Sequence, residues 1–132
     1  MLNVAIWYHD LTLKLEESLL KDPMRLFKAE LFKALAHPGR LKMLEALKEG
    51  EKTVGELQEL LDSEPASASQ HLAQLRHKNI VHARKEGTTV YYSVADPRLF
   101  DILGAGRAMF DNHVSRSQKA LDGDRVESGA VR

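Results

Sequence analysis

The chain has 132 residues, 43% of them apolar, enough for one compact domain with a modest core. Lysine plus arginine and aspartate plus glutamate balance at 19 each, so net charge marks no nucleic-acid or membrane partner and any such signal must be local. There is no cysteine, which excludes disulfides, thiolate metal sites, cysteine nucleophiles and thiol redox switches together.

Residues 1–21 read as an N-terminal extension. Its opening, MLNVAIWYHDLTLKLEE, lacks a basic start, and His9 and Asp10 interrupt the apolar run early. It therefore matches neither a signal peptide nor a transmembrane helix, and a cytoplasmic protein without a membrane partner is expected. Ile6, Leu11, Leu15 and Leu19 fit a helical stripe, while LTLKL alternates like a strand. The helix-forming LEESLLKD favours helix. Such a helix is suited to extend a dimer interface or to cover an effector pocket, with Trp7 and Tyr8 as anchors.

Residues 22–121 carry the main domain. All four prolines read as helix openers, at Asp22-Pro23, His37-Pro38, Ser63-Glu64-Pro65 and Asp96-Pro97, where a missing N–H costs nothing and the fixed φ helps. A fifth start is the capping box Thr53-Val54-Gly55-Glu56. Behind these starts apolar residues recur at helical spacing: Met24, Phe27, Leu31, Ala34 and Leu35; then Leu41, Leu44 and Leu47; then Leu57, Leu60 and Leu61. Each stripe predicts one face against a shared core.

PASASQHLAQLRH, residues 65–77, is too regular for a loop and too thinly apolar for an ordinary core helix. Ala68, Leu72 and Leu75 form its core stripe, leaving Ala66, Ser67, Ser69, Gln70 and Gln74 outside. Between residues 80 and 94 the period becomes alternating, with Glu86-Gly87 placed as a two-residue turn. Pairing outward sets Lys85 opposite Thr88, Arg84 opposite Thr89, Ala83 opposite Val90 and Val81 opposite Tyr92. Val81, Ala83, Val90, Tyr92 and Val94 then share one face, and His82, Arg84, Thr89, Tyr91 and Ser93 the other. A lone hairpin is unstable, so it must lean on the helices.

After Pro97 a long helix carries Leu99, Ile102, Leu103, Gly106, Met109, Phe110 and Val114 on one stripe, too long for a small protomer to cover, which suits a dimer seam. Gly104 and Gly106 cost helix stability and permit close helix approach. Residues 122–132, polar and glycine-containing, are expected to be a flexible tail. The fold class predicted is mainly α with a small β-hairpin: a winged helix-turn-helix that sets the helix of residues 65–77 in a DNA major groove.

Charge is partitioned accordingly. Residues 65–95 hold Arg76, Lys78, Arg84 and Lys85 against Glu86, 4 minus 1 or +3, whereas residues 41–64 hold three basic and seven acidic residues, or −4. The basic stretch coincides with the proposed recognition helix and wing. Ser67, Ser69, Gln70 and Gln74 offer donors and acceptors to base edges; Arg76, Lys78, Arg84, Lys85 and Thr88 are placed to meet phosphates.

With its segments Leu35-Ala36-His37-Pro38-Gly39-Arg40, Val54-Gly55-Glu56-Leu57, Ser69-Gln70-His71-Leu72 and a wing ending in Tyr91-Tyr92, the chain resembles the ArsR/SmtB family of bacterial winged-helix repressors over about residues 24–115. The resemblance implies a homodimeric transcriptional repressor of double-stranded DNA with an inverted-repeat operator. Its interface would use the first and last helices, and its recognition helix would carry Ser69 and Gln70. Asn79 stands where the family usually has glycine, and asparagine tolerates the left-handed conformation needed there.

The departures concern sensing. Metal sensors of this family often carry cysteines near the helix that begins here at Val54, and this chain has none. A second family site, on the last helix, falls here on Asp96, Arg98, Met109 and Asn112; only Asp96 matches, and arginine cannot ligate zinc. Asp111-Asn112-His113 resembles half of such a site but lies about four turns further on, and it reads as a polar helix face. No metal site or cofactor is assigned, and the effector is left open.

His71 reads as a half-buried, hydrogen-bonded residue of the recognition helix, His37 as a helix cap and Arg40 as a ligand of carbonyls or acidic groups within the fold, with a DNA contact as the alternative. No catalytic constellation is present, so the chain is not read as an enzyme. The alternative is a winged-helix protein-interaction or small-ligand-binding module with weak or no specific DNA binding, for which acidic Glu59, Asp62 and Glu64 leave room.

Overall fold

The computed structural model describes the backbone of residues 4–20, 22–62 and 67–130, and the side chains of residues 9, 10, 12–18, 22–62 and 67–125. Among the described residues, six helices and a small sheet follow in order: α1 (Val4–Leu20), α2 (Pro23–Leu35), α3 (Pro38–Ala46), a 3-10 turn (Leu47–Glu49), β1 (Lys52–Thr53), α4 (Val54–Glu59), α5 (Ser67–His77), β2 (Val81–Glu86), β3 (Thr89–Val94) and α6 (Arg98–Ala130).

Helix starts fall where the sequence places caps. The Asp22 carboxylate accepts from the Arg25 N–H, and His37 Nδ1 accepts from the Gly39 N–H at 3.0 Å. At α4 the capping box closes both ways, Glu56 N–H to Thr53 Oγ1 and Thr53 N–H to the Glu56 carboxylate. The start predicted at Ser63-Glu64-Pro65, with Ala66, lies outside the described residues. So do the side chains of Ile6, Trp7, Tyr8, Leu11 and Leu19, though the extension is helical and packs on α2.

The core gathers Ala34 and Leu35 from α2, Met43, Leu44 and Leu47, Leu57 from α4, Ala68, Leu72 and Leu75 from α5, then Ile80, Val81 and Leu99. Leu31, Leu41, Leu60, Leu61, Tyr92, Val94 and Leu103 pack at its edge. The α2 stripe divides. Leu31, Ala34 and Leu35 face the core, whereas Met24 and Phe27 are turned outward, Phe27 to 68% exposure.

The hairpin register differs from the predicted one. Glu86 pairs with Thr89, Lys85 with Val90, Arg84 with Tyr91, Ala83 with Tyr92 and Val81 with Val94, so Gly87-Thr88 is the turn. The reason is backbone strain. The primed two-residue turns that suit a hairpin need positive φ at their first central position, which glycine adopts freely and glutamate does not; Gly87 has φ +62°. Because partners move by two residues, the side chains keep their predicted faces. A third strand, which the sequence does not reveal, completes the sheet in the order β1-β3-β2, with Lys52 opposite Tyr92 and Thr53 opposite Tyr91. Two residues are too short a run for any alternation to show.

Helix α6 divides the predicted seam stripe. Leu99 is buried in the protomer's own core and Leu103 packs against it, so these two are core residues first, because the start of α6 lies over α3. Gly106, Met109, Phe110 and Val114 lie beyond, on the solvent-exposed length. The polar segment from Asp122, for which composition predicts a flexible tail, continues the same helix to Ala130. Its described side chains, Asp122 to Arg125, are all exposed.

Candidate nucleic-acid interface

Helix α5 is seated from three sides. Ala68, Leu72 and Leu75 have no exposed surface and fix which face points inward. At its start the Ala68 N–H donates to Gln58 Oε1 at 2.9 Å, so α4 satisfies one of the helix's orphan donors. At its end the Ile80 N–H reaches Leu75 O and the Asn79 N–H reaches Arg76 O, with Asn79 at φ +57°. That is a Schellman ending, in which asparagine does the work usually given to glycine, as the sequence predicts. Ile80 and Leu75, the apolar pair that accompanies such an ending, are both buried.

The third hold is Arg40 at the start of α3. Its guanidinium donates to Ala34 O at 2.9 Å, to His71 Nδ1 at 3.2 Å and to Gln74 Oε1 at 2.6 Å. One planar donor set thus ties the end of α2 to the middle of α5. The His37 and His71 rings lie 4.3 Å apart beside it. His71 and Arg40 are half-buried and engaged within the fold, as the sequence predicts for both.

Outward from this seat stand Ser69, Gln70, Ala73, Gln74, Arg76 and His77, all exposed; Ser67 is half-buried. Of the predicted set, Gln74 has its carbonyl oxygen taken by Arg40 but keeps its amide nitrogen as a donor. Ala73 and His77 share one stripe with Gln70 and are absent from the predicted set; the i, i+3, i+7 spacing from Gln70 is the signal that finds them.

The predicted phosphate contacts divide by partner. Arg76, Lys85 and Thr88 are exposed, with Lys85 and Thr88 at the hairpin end. Lys78 is paired with Glu30 at 2.8 Å, and that hydrogen bond first, then the charge, holds the Glu30 carboxyl below its usual range. Arg84 is clamped. It meets Glu51 through two nitrogens at 3.1 and 2.8 Å and Glu86 at 2.8 Å, and it lies 4.8 Å over the Tyr91 ring. These partners stabilise its charge and hold the Glu51 carboxyl low. Arg84 therefore binds β2 to the loop before β1 and to β3, a wing-holding position that sequence spacing alone does not distinguish from a phosphate contact.

At the start of α6 the Asp96 carboxylate accepts from the Arg98 backbone N–H and from its guanidinium, the shortest contact being 2.7 Å. These bonds push the Asp96 carboxyl down to about 2. The one predicted last-helix position with a metal-ligating side chain besides Asn112 thus already has an internal cation as partner. Asp111 pairs with Arg107 at 3.3 Å. Among the described residues no group of three or more His, Cys, Asp or Glu could hold a metal ion, and no helix is long and apolar enough to cross a membrane.

The model of the bacterial regulatory protein arsR family matches residues 37–83, from the α3 cap to the middle of β2. The HTH-type transcriptional regulator Rv0081 of Mycobacterium tuberculosis is 36% identical over 111 residues, 83% of this chain and 97% of that one. Its crystal structure superposes with a TM-score of 0.61, at 39% identity over 71% of this chain and 96% of that one. The biofilm growth-associated repressor of Agrobacterium fabrum is 39% identical over 82 residues, 62% of this chain and 70% of the relative. The homodimeric winged helix-turn-helix DNA-binding domain of Mb0332 from Mycobacterium bovis, solved in solution, has a TM-score of 0.64 at 29% identity over 73% and 89% of the two chains. A relative matched over nearly its whole length, a family model that spans the seated helix and a shared fold agree: the chain belongs to the arsR family of bacterial regulatory proteins.

Proposed function

We propose that the chain is a homodimeric transcriptional repressor that binds an inverted-repeat operator in double-stranded DNA, with α5 of each protomer in a major groove and half-sites about one helical turn apart. The observation that carries this reading is the build of α5: fully buried on one face, tied down by Gln58 and Arg40, and offering small and polar side chains on the other. A rigid helix whose N-terminal half lacks bulky side chains can approach base edges closely. Ser67, Ser69, Gln70 and the amide of Gln74 read bases; Arg76, Lys78, Lys85 and Thr88 meet phosphates, and Arg84 holds the wing that presents Lys85.

The dimer seam runs along α2 and the exposed length of α6. Met24, Phe27 and Phe32 on the first, and Met109, Phe110 and Val114 on the second, are large apolar side chains left open in the protomer. The homodimeric state of the Mb0332 domain and the repressor activity named for the Agrobacterium relative support the same reading. It involves no metal or other cofactor. Gln70→Ala, measured by fluorescence anisotropy, should weaken an operator duplex by about 1–3 kcal/mol and random DNA far less, whereas Lys85→Ala should weaken both alike and lower the salt slope by about 1. Equal losses on both duplexes for both variants would sink the division of labour.

A further inference from the structure

Helix α5 is a ridge between two grooves, and Ala73 and His77 line both. The wing-side groove is walled by Ser69 and Arg76 of α5 with Val90 and Tyr92 of β3. The opposite groove, of about 630 Å³, is walled by the end of α2 and the start of α3. Its ionisable lining is Lys33, Arg40 and Lys78, with His37 and His77, against the single carboxylate of Glu30. Arg40 makes its bonds there to neutral acceptors, so its charge is anchored without being cancelled. Lys33 is exposed and Lys78 is tied to Glu30.

A helix in a major groove has a phosphodiester strand on each side. The wing and Arg76 are placed to meet one of them; the surface for the other has not been assigned. We infer that the corner of α2 and α3 holds that second strand, with Lys33 and the anchored Arg40 as its cations and Lys78 exchanging Glu30 for a phosphate. This rests on the repressor reading above. Duplex DNA suits the arrangement better than a small anion because the two grooves share the Ala73 and His77 ridge, so that one occupant filling both must straddle the helix. Glu30 then acts as a brake that keeps non-specific affinity down.

The test is the salt dependence of binding by the full chain to duplex from upstream of its own gene and to a scrambled duplex. Lys33→Ala should lower the slope of log K against log salt by about 0.9, the value of one phosphate neutralised, and weaken both duplexes alike. Glu30→Gln should do the reverse, freeing Lys78 and tightening both duplexes several-fold, a gain that a merely structural residue would not give. Lys119→Ala, on the distal part of α6, serves as control and should change neither. An unchanged slope in Lys33→Ala together with no tightening in Glu30→Gln overturns the inference. So does calorimetric binding of inorganic phosphate to the DNA-free protein that Lys33→Ala abolishes, since that would put a free anion in the groove. If the wild type fails to distinguish the two duplexes, it is the repressor reading that falls.

Discussion

Arg84 and Asp96 illustrate how a single charged residue changes meaning once its partners are known. At the wing Arg84 has the spacing of a phosphate contact, yet two carboxylates and the Tyr91 ring already surround it. Arg84→Ala should therefore lower DNA affinity by loosening the wing while leaving the salt slope as it is; a slope reduced by about 1, as for Lys85→Ala, would show that the guanidinium contacts a phosphate after all. Asp96 carries a pH signature. Its carboxyl is depressed to about 2 from an ordinary 3.8 by Arg98, so its contribution is fully present above pH 3.8 and is lost as pH falls through about 2. Asp96→Asn should destabilise the protein in urea unfolding at neutral pH, with the difference narrowing between pH 4 and 2. A difference that stayed constant across that window would mean the Arg98 pairing contributes nothing.

At the scale of elements, most of the fold is legible because each helix announces its start chemically. Asp22, His37 and Thr53 accept backbone N–H groups where the sequence places them, and Asn79 closes α5 where it is expected. What the sequence withholds are contacts between elements. Strand β1 is two residues that exist only because β3 lies beside them, and the register of the hairpin turns on which residue takes a positive φ. The hold on α5 is of the same kind: Gln58 and Arg40 lie 10 and 34 residues from partners that no periodicity links to them. Leu72→Ala should cost about 2–5 kcal/mol in chemical denaturation, as a truncation at a fully buried site. Arg40→Ala should instead leave most stability in place while the operator affinity falls more than that for random DNA, because the reading helix loses its third hold. Loss of specific and non-specific binding in equal measure would mean that Arg40 acts through its charge alone and does not position the helix.

For the whole molecule, what is legible in the sequence is the outward face of the proposed recognition surface, since Ser69, Gln70, Arg76 and Lys85 are exposed on the predicted helix and wing. The seam is less so, because a helical stripe does not say whether its partner is in the same chain. Leu99 and Leu103 turn to the protomer's own core, while Met109 and Phe110 remain 74% and 60% exposed. Met109→Glu should give a monomer with little DNA affinity, and a dimer that persisted in size-exclusion chromatography would move the seam elsewhere. The repressor reading is tested most directly by fluorescence anisotropy of the purified protein on DNA from upstream of its own gene against a scrambled duplex, titrated over salt, with zinc and with chelator. Tight binding to the native duplex alone, weakening with salt and indifferent to zinc, is the predicted result. Equal, weak binding to both duplexes would contradict it and favour a winged helix used as a protein-interaction module.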